Sequence, residues 1–177
     1  MAIEPVHKHF PQVPLQRRAG AFLIDFVCVW LISSFLAGLG ISELFVFLPL
    51  WLVWRVIVVA RNQGQSLGRW ALDMKVLDAR FSRIPQLLTL TKREGITGLL
   101  SLLAVFGFSI GSANSLSLVL LIVPLLVDWG TVMADSEGRQ AFHDRIAGTL
   151  VVQTKRGFSL DLRVRRLLAQ VTSTMRK

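Results

Sequence analysis

The sequence predicts an all-α membrane protein: a four-transmembrane-helix bundle with small cytoplasmic loop elements and a C-terminal amphipathic helix. Three observations support this class. Apolar residues make up 53% of the 177 residues, and charged residues 18%, below the roughly 25% of soluble domains. The apolar residues form runs long enough to cross a bilayer, and the basic residues lie between those runs. The single cysteine, Cys28, lies inside one run and excludes an internal disulfide.

The first run covers residues 19–39 and is long enough to cross the roughly 30 Å hydrocarbon core as a helix. Its one charged residue is Asp25. Eleven Leu, Ile, Phe or Val residues favour insertion by about 0.3 to 0.6 kcal/mol each, against roughly 2.5 to 3.5 kcal/mol for a central Asp. We therefore expect a span. Its length and internal carboxylate argue against the alternative, a cleaved signal peptide, although Gly38 and Gly40 offer a small-residue cleavage site.

The second run covers residues 41–60, with thirteen such apolar residues against Arg55. Residues 95–134 contain only Asp128 as a charge, and as one helix they would be about 60 Å long, twice the bilayer. We place a break in the turn-forming residues 111–115, which leaves spans at 95–111 and 116–134. Four glycines lower the helix propensity of the third span, so a re-entrant hairpin is the alternative there.

The basic residues predict the orientation, because Lys and Arg near span ends are held on the cytoplasmic side. Three precede the first span, seven lie within residues 61–94, nine follow residue 134, and the inferred outer turns have none. This pattern requires an even number of spans, so we expect an integral protein of the cell or inner membrane with both termini cytoplasmic. It also explains the basic pI without nucleic acid, leaving anionic lipid headgroups as the expected partners.

Three charged residues of the spans are expected to form an intramembrane cluster. Asp25 and Arg55 each lie fifteen residues from Gly40, about 9 Å inside the cytoplasmic ends of their helices, and Asp128 lies at a similar depth. Intramembrane charges turn inward and pair, and two acids with one base leave one carboxylate under-compensated. Such a carboxylate suits a proton or cation site. The alternative is a static ion pair that sets helix register.

The cytoplasmic pieces carry weaker patterns. Ser66 is a possible helix cap, and the alternation over residues 72–78 predicts a strand that pairs with residues 149–153. Residues 1–16 are predicted to be a disordered lead-in to a transmembrane domain at 17–152. Residues 153–177 have apolar residues at helical spacing with arginines opposite, which predicts a basic amphipathic helix at the headgroups, or in a partner's groove as the alternative.

Four short motifs, in order, resemble the RDD family of membrane proteins. They begin with Arg18 followed by Asp25 seven residues on, and continue with residues 64–69, Gly-Gln-Ser-Leu-Gly-Arg, similar to the family's Gly-Gln-Thr-Leu-Gly-Lys. Arg93-Glu94 and residues 139–152 are similar to the later motifs. The resemblance implies a polytopic membrane domain for which transport is suggested. The motif residues taken as an interfacial site are Arg18, Gly64, Gln65, Gly68, Arg69, Arg93, His143, Asp144 and Arg145. Arg55 does not belong to that family pattern.

The sequence contains none of the usual catalytic motifs, so we expect no enzyme activity and no cofactor. His143 and Asp144 are too few ligands for a metal site. We expect a structural polar cluster instead, in which Asp144 and Arg145 contact Arg69 or Asp73. Two functions remain. One is transport of a small ion or proton near the cluster, in a homo-oligomer because four helices enclose little space. The other is a non-catalytic scaffold or assembly factor whose basic face binds a membrane-protein partner or lipid.

Overall fold

The computed structural model describes residues 11, 13–38, 40–111, 115–134, 140–154, 160 and 162. Within these ranges the fold is mostly helical, with one small antiparallel sheet. The helices are α1 (Leu15–Ala37), α2 (Ile41–Arg61), α3 (Leu67–Ala71), α4 (Leu87–Gly111), α5 (Ser115–Ala134) and α6 (Phe142–Ala147). The strands are β1 (Met74–Asp78) and β2 (Thr149–Gln153).

The first two helices are long and apolar enough to cross a membrane, with a mean hydropathy of 2.0 each. Only 33% of the most apolar stretch of each is buried, so most of its side chains face outward, as expected in lipid. Between α1 and α2 the chain reverses through Gly38 and Gly40, whose φ angles of 73° and 127° are open to glycine at little cost. The predicted pair of apolar helices joined by a tight turn is confirmed.

The second half of α2 contains a π-helical segment, Val53–Ile57. Along α2 as a whole, buried side chains recur every four residues at Phe47, Trp51, Arg55 and Val59. A regular α-helix would rotate such a row away from the core, because it completes a turn in 3.6 residues. The wider π turn counteracts that rotation. It therefore keeps the Arg55 guanidinium facing the bundle interior.

The helix α4 is continuous over 25 residues, about 37 Å at 1.5 Å per residue. A re-entrant hairpin is therefore absent from the described part of this segment. The helix begins at Leu87, eight residues before the predicted span, because Arg93 and Glu94 are buried against other elements instead of ending it at the surface. The predicted break at 111–115 falls between α4 and α5.

The two predicted strands pair as expected, antiparallel, with Val76 opposite Val151. The ladder is supported from two sides. Met74 packs with Val13 and Ala21 beside α1, while Val76 packs with residues of α2 and α4. A two-stranded unit is marginal alone, and this packing supplies the buried apolar surface that it needs.

The two ends of the chain are only partly described. The predicted lead-in, residues 1–16, falls mostly outside the described residues, but its last part is wrong: Val13 is 2% exposed and α1 begins at Leu15. Val13 is ordered because its side chain packs into the apolar group beside the ladder. The predicted C-terminal amphipathic helix lies outside the described residues, apart from single positions.

Candidate functional site

The predicted pairing of Asp25 with Arg55 is present, and it also secures α3. Arg55 Nη1 donates to Asp25 Oδ2 at 2.8 Å. The Ser66 hydroxyl and the Gly68 backbone N–H donate to the same carboxylate at 2.5 and 2.8 Å. Asp25 thus satisfies a backbone donor in the first turn of α3, where the helix leaves such groups unpaired. The contact of α1 with α3 rests on this carboxylate.

The close approach of α1 and α3 explains why position 68 of the motif at residues 64–69 is a glycine. A Cβ atom built on Gly68 would lie 2.0 Å from the carbonyl oxygen of Ala21 in α1. Gly64, in the preceding turn, has a φ of 84°, and its Cβ would lie 2.5 Å from the Val76 oxygen. Gln65 is buried and donates from Nε2 to the Met74 oxygen at 2.7 Å. These three residues therefore position the loop, and among them Gly68 also donates its backbone N–H to Asp25.

The centre of the charged network is Glu94, which was not predicted as a site residue. Arg55 Nε donates to Glu94 Oε2 at 2.7 Å, and Arg69 Nη2 donates to Oε1 at 2.8 Å. Arg93 Nη1 also contacts Oε1, and the Thr97 hydroxyl lies 3.2 Å from Oε2. One carboxylate thus joins arginines from α2, α3 and α4.

A second carboxylate, Asp144 of α6, joins α4 and α1. Arg93 Nε donates to its Oδ1 at 2.8 Å, and Arg18 Nη2 contacts its Oδ2. Burial raises the pKa of Asp144, but the charges of Arg93 and Arg18 and the Arg93 hydrogen bond outweigh burial and hold that pKa well below its usual range. The expected contact of Asp144 with Arg69 or Asp73 is replaced by these arginine contacts, and Arg145 lies exposed outside the network.

Asp128 joins the network through His143 and not through Arg55. His143 Nδ1 lies 2.6 Å from Asp128 Oδ2, and the His143 backbone N–H donates to Oδ1 at 3.0 Å. His143 Nε2 lies 3.2 Å from Arg93 Nη2. Because a guanidinium only donates, Nε2 must accept, so Nδ1 carries the proton and donates to Asp128. The imidazole is thereby assigned as neutral.

The prediction of one under-compensated carboxylate can be compared with the contacts of the network. The Asp128 side chain contacts the neutral His143, whereas Asp25, Glu94 and Asp144 each contact an arginine. The buried network contains four arginines and four carboxylates, so with a neutral His143 its charges balance. None of its ionisable residues is more than 6% exposed. Three of the arginines lie outside the apolar runs, which predicts an interfacial position for them instead. The members of the network are Arg18, Asp25, Arg55, Arg69, Arg93, Glu94, Asp128, His143 and Asp144.

Four arginines and His143 of the network line a small, partly open cavity. About 20 Å³ is open to the centre of a water molecule, enough for one or two waters. Burial, and then the charges of Arg55 and Arg93, lower the pKa of Arg69 to about 9 against the opposing effect of Glu94 and Asp25. Arg69 is therefore still charged at neutral pH. In the described part of the chain, no group of three or more His, Cys, Asp or Glu is arranged to hold a metal ion.

The structure also buries the carboxylate of Glu43, in the first turn of α2, at the opposite end from Arg55. Its Oε1 contacts the Ser34 hydroxyl and lies 3.4 Å from that of Ser33, while Oε2 has no hydrogen-bond partner among the described residues. Glu43 was not predicted as a site residue. Its signal was visible, because a carboxylate inside an apolar run is costly unless it turns inward.

The fold and the site together define a class: a helical membrane protein in which charged residues from every helix are buried in one network. The chain belongs to the RDD family, whose sequence profile matches residues 13–148. That match confirms the resemblance and includes every member of the network. No curated protein and no solved structure matched the chain.

Proposed function

We propose that the protein transports a small ion or proton across its membrane, with the buried network as the site of exchange. The observation that carries the proposal is the number of buried charges contributed by separate helices. Burying an ion costs several kcal/mol even after relaxation, and apolar replacements of buried ion pairs are often neutral or stabilising. A bundle that only had to be stable would not need this many buried charges. Charges inside a membrane protein commonly mark an ion or proton pathway.

The proposed topology has four spans, α1, α2, α4 and α5, with both termini cytoplasmic. The apolar character of α1 and α2 and the shorter apolar stretch Leu121–Ala134 support it. The network residues lie in matching halves of the four helices: the N-terminal halves of α1 and α4, and the C-terminal halves of α2 and α5. The positive-inside rule assigns that end to the cytoplasm. A homo-oligomer would supply the space that four helices lack.

His143 is the group through which a proton would act. It is faced by Asp128 from α5, Arg93 from α4 and Asp144 from its own helix. A proton on Nε2 would place a second donor opposite Arg93 Nη2 and break that contact. The nearest acceptor for the new N–H is Asp144 Oδ1, 3.5 Å away. Protonation would thus redirect the bonds of Arg93, which joins the two central carboxylates.

A second candidate function, a scaffold or assembly factor, is favoured by how closed the network is. The cavity admits one or two waters, and the charged groups are nearly inaccessible to solvent. A static network of this kind would fix helix register while the basic cytoplasmic face binds a partner protein or anionic lipid.

Flux measured in proteoliposomes tests the first function against the second. We expect imposed ion and pH gradients to drive flux in the wild type, and the variants Asp25→Asn and Asp128→Asn to abolish most of it. The matched control is Asp78→Asn, which changes a carboxylate of β1 outside the network. Each variant is first checked for wild-type elution in mild detergent. Flux that survives both network substitutions unchanged contradicts the transport proposal, and a stable co-purifying partner would then support the scaffold.

A further inference from the structure

The charge of the residues that line the cavity is the strongest feature of the network that the proposed function leaves unexplained. The charged residues that line the cavity are all arginines, Arg18, Arg55, Arg69 and Arg93, joined by the neutral His143. None of the four network carboxylates is among the lining residues. The residues that line the cavity thus carry four positive charges and none of the network's negative charges.

Two donors on the lining residues lack hydrogen-bond partners. Arg69 Nη1 and Trp129 Nε1 are buried, and neither has a partner among the described residues. The one ion pair of Arg69 among the described residues is with Glu94 Oε1. That oxygen also contacts Arg93, so the charge of Arg69 is weakly compensated. A buried N–H without a partner is destabilising, because it has lost its hydrogen bonds to water. Two such donors on one cavity indicate an occupant that accepts hydrogen bonds.

The occupant can be narrowed by comparing a water, a cation and an anion. A cation is repelled by the guanidinium groups. A water would accept from the two donors but must also donate its own hydrogens, and the unpartnered atoms on this cavity are both donors. A small anion accepts from every side and needs no acceptor. The cavity leaves about 20 Å³ for the centre of a water-sized group, which favours a single-atom anion over one of the size of phosphate.

We propose that this cavity binds one small monovalent anion of the halide class, held by Arg69 Nη1 and Trp129 Nε1. The rest of the lining suits such an ion, because Phe22, whose ring packs edge-on to Trp129 at 5.3 Å, excludes competing water. Bound anion would give the balanced network one extra negative charge. The inference uses the same network as the proposed function, but its test measures binding and not flux, so either can fail alone.

The test uses purified full-length protein in mild detergent and chloride as the probe. Thermal unfolding is followed as chloride replaces gluconate at constant ionic strength and constant sodium. We expect a saturable rise in the melting temperature of about 3 °C or more. Replacing sodium by choline at fixed chloride should change nothing. No chloride-specific rise in the wild type, or a rise that follows the cation, would overturn the proposal.

Two substitutions locate the site. Trp129→Phe removes one N–H and keeps the aromatic ring, and we expect it to raise the half-saturating chloride concentration by about tenfold. Arg69→Gln should abolish the response. The matched control, Trp70→Phe, changes an exposed tryptophan of α3 and should leave the response intact. If Arg69→Gln does not fold, Trp129→Phe decides alone. An unchanged chloride response in Trp129→Phe would contradict the site.

Discussion

The arrangement around Glu94 makes a quantitative prediction about the substitution Glu94→Gln. The glutamine keeps the shape of the side chain but removes the negative charge that three arginines share. It also places an NH₂ group where one carboxylate oxygen accepted bonds, so that a donor faces guanidinium donors. Arg55 and Arg69 both pair with this carboxylate. The change therefore removes or greatly weakens one of the main charge partners of each arginine.

Removing one partner of a buried ion pair costs about 3 to 5 kcal/mol, because the other charge remains buried and uncompensated. Three arginines depend on Glu94, but Arg55 and Arg93 keep Asp25 and Asp144 as second partners. Only Arg69 has no other ion pair within the described ranges. We therefore expect a loss near one full pair, about 4 kcal/mol, and not three.

The assay is equilibrium unfolding in detergent, with Lys92→Gln as the control. Lys92 is the neighbouring residue of α4 and is exposed, so its loss should change stability by less than about 0.5 kcal/mol. The double variant Glu94→Gln with Arg69→Gln restores the charge balance and should be more stable than the two single losses added together. A Glu94→Gln cost below about 1 kcal/mol, or strictly additive losses in the double variant, would refute this account of the network.

Three further outcomes are expected from the geometry. Gly68→Ala should destabilise the protein by more than about 2 kcal/mol, measured by unfolding, because its methyl group would meet the Ala21 backbone oxygen at 2.0 Å; wild-type stability would contradict that close approach. Because the pKa of Asp144 is lowered by folding, its stabilisation is full above the unfolded value near 4 and is lost as pH falls toward the folded value. Asp144→Asn should therefore lose stability at pH 7 and show a shallower decline in acid than the wild type, and parallel pH curves would count against the pairing. The exchange of Asp25→Arg with Arg55→Asp should recover part of the stability that each single change loses, since their side chains are in contact.

Local pattern was enough to predict the apolar helices and the strand pairing. Run length and helix rise also predicted that Asp25 and Arg55 lie at one depth, because both residues are fifteen positions from the same turn. The ladder followed from alternation, which places Met74 and Val76 on one buried face. These features depend on spacing along one stretch of chain, and spacing is what a sequence displays directly.

The rest of the network depends on contacts between distant stretches. Arg93 and Glu94 looked like the polar edge of a span, although their partners lie on α2, α3 and α6. Asp128 looked like a partner for Arg55, but the chain returns after α5 and brings His143 beside it. Which buried charge finds which partner is decided by tertiary packing, so the pattern of single residues cannot reveal it.

The small sheet has a mechanical consequence. Its strands are far apart in the chain, with α4 and α5 between them. The pairing of Asp78 with Thr149 therefore joins the two ends of a stretch of chain that contains both helices. Separating α4 and α5 from α1 and α2 must either break the five residue pairs of the sheet or move the sheet together with the helices as one rigid unit. Amide deuterium uptake in β1 and β2 would tell these two motions apart.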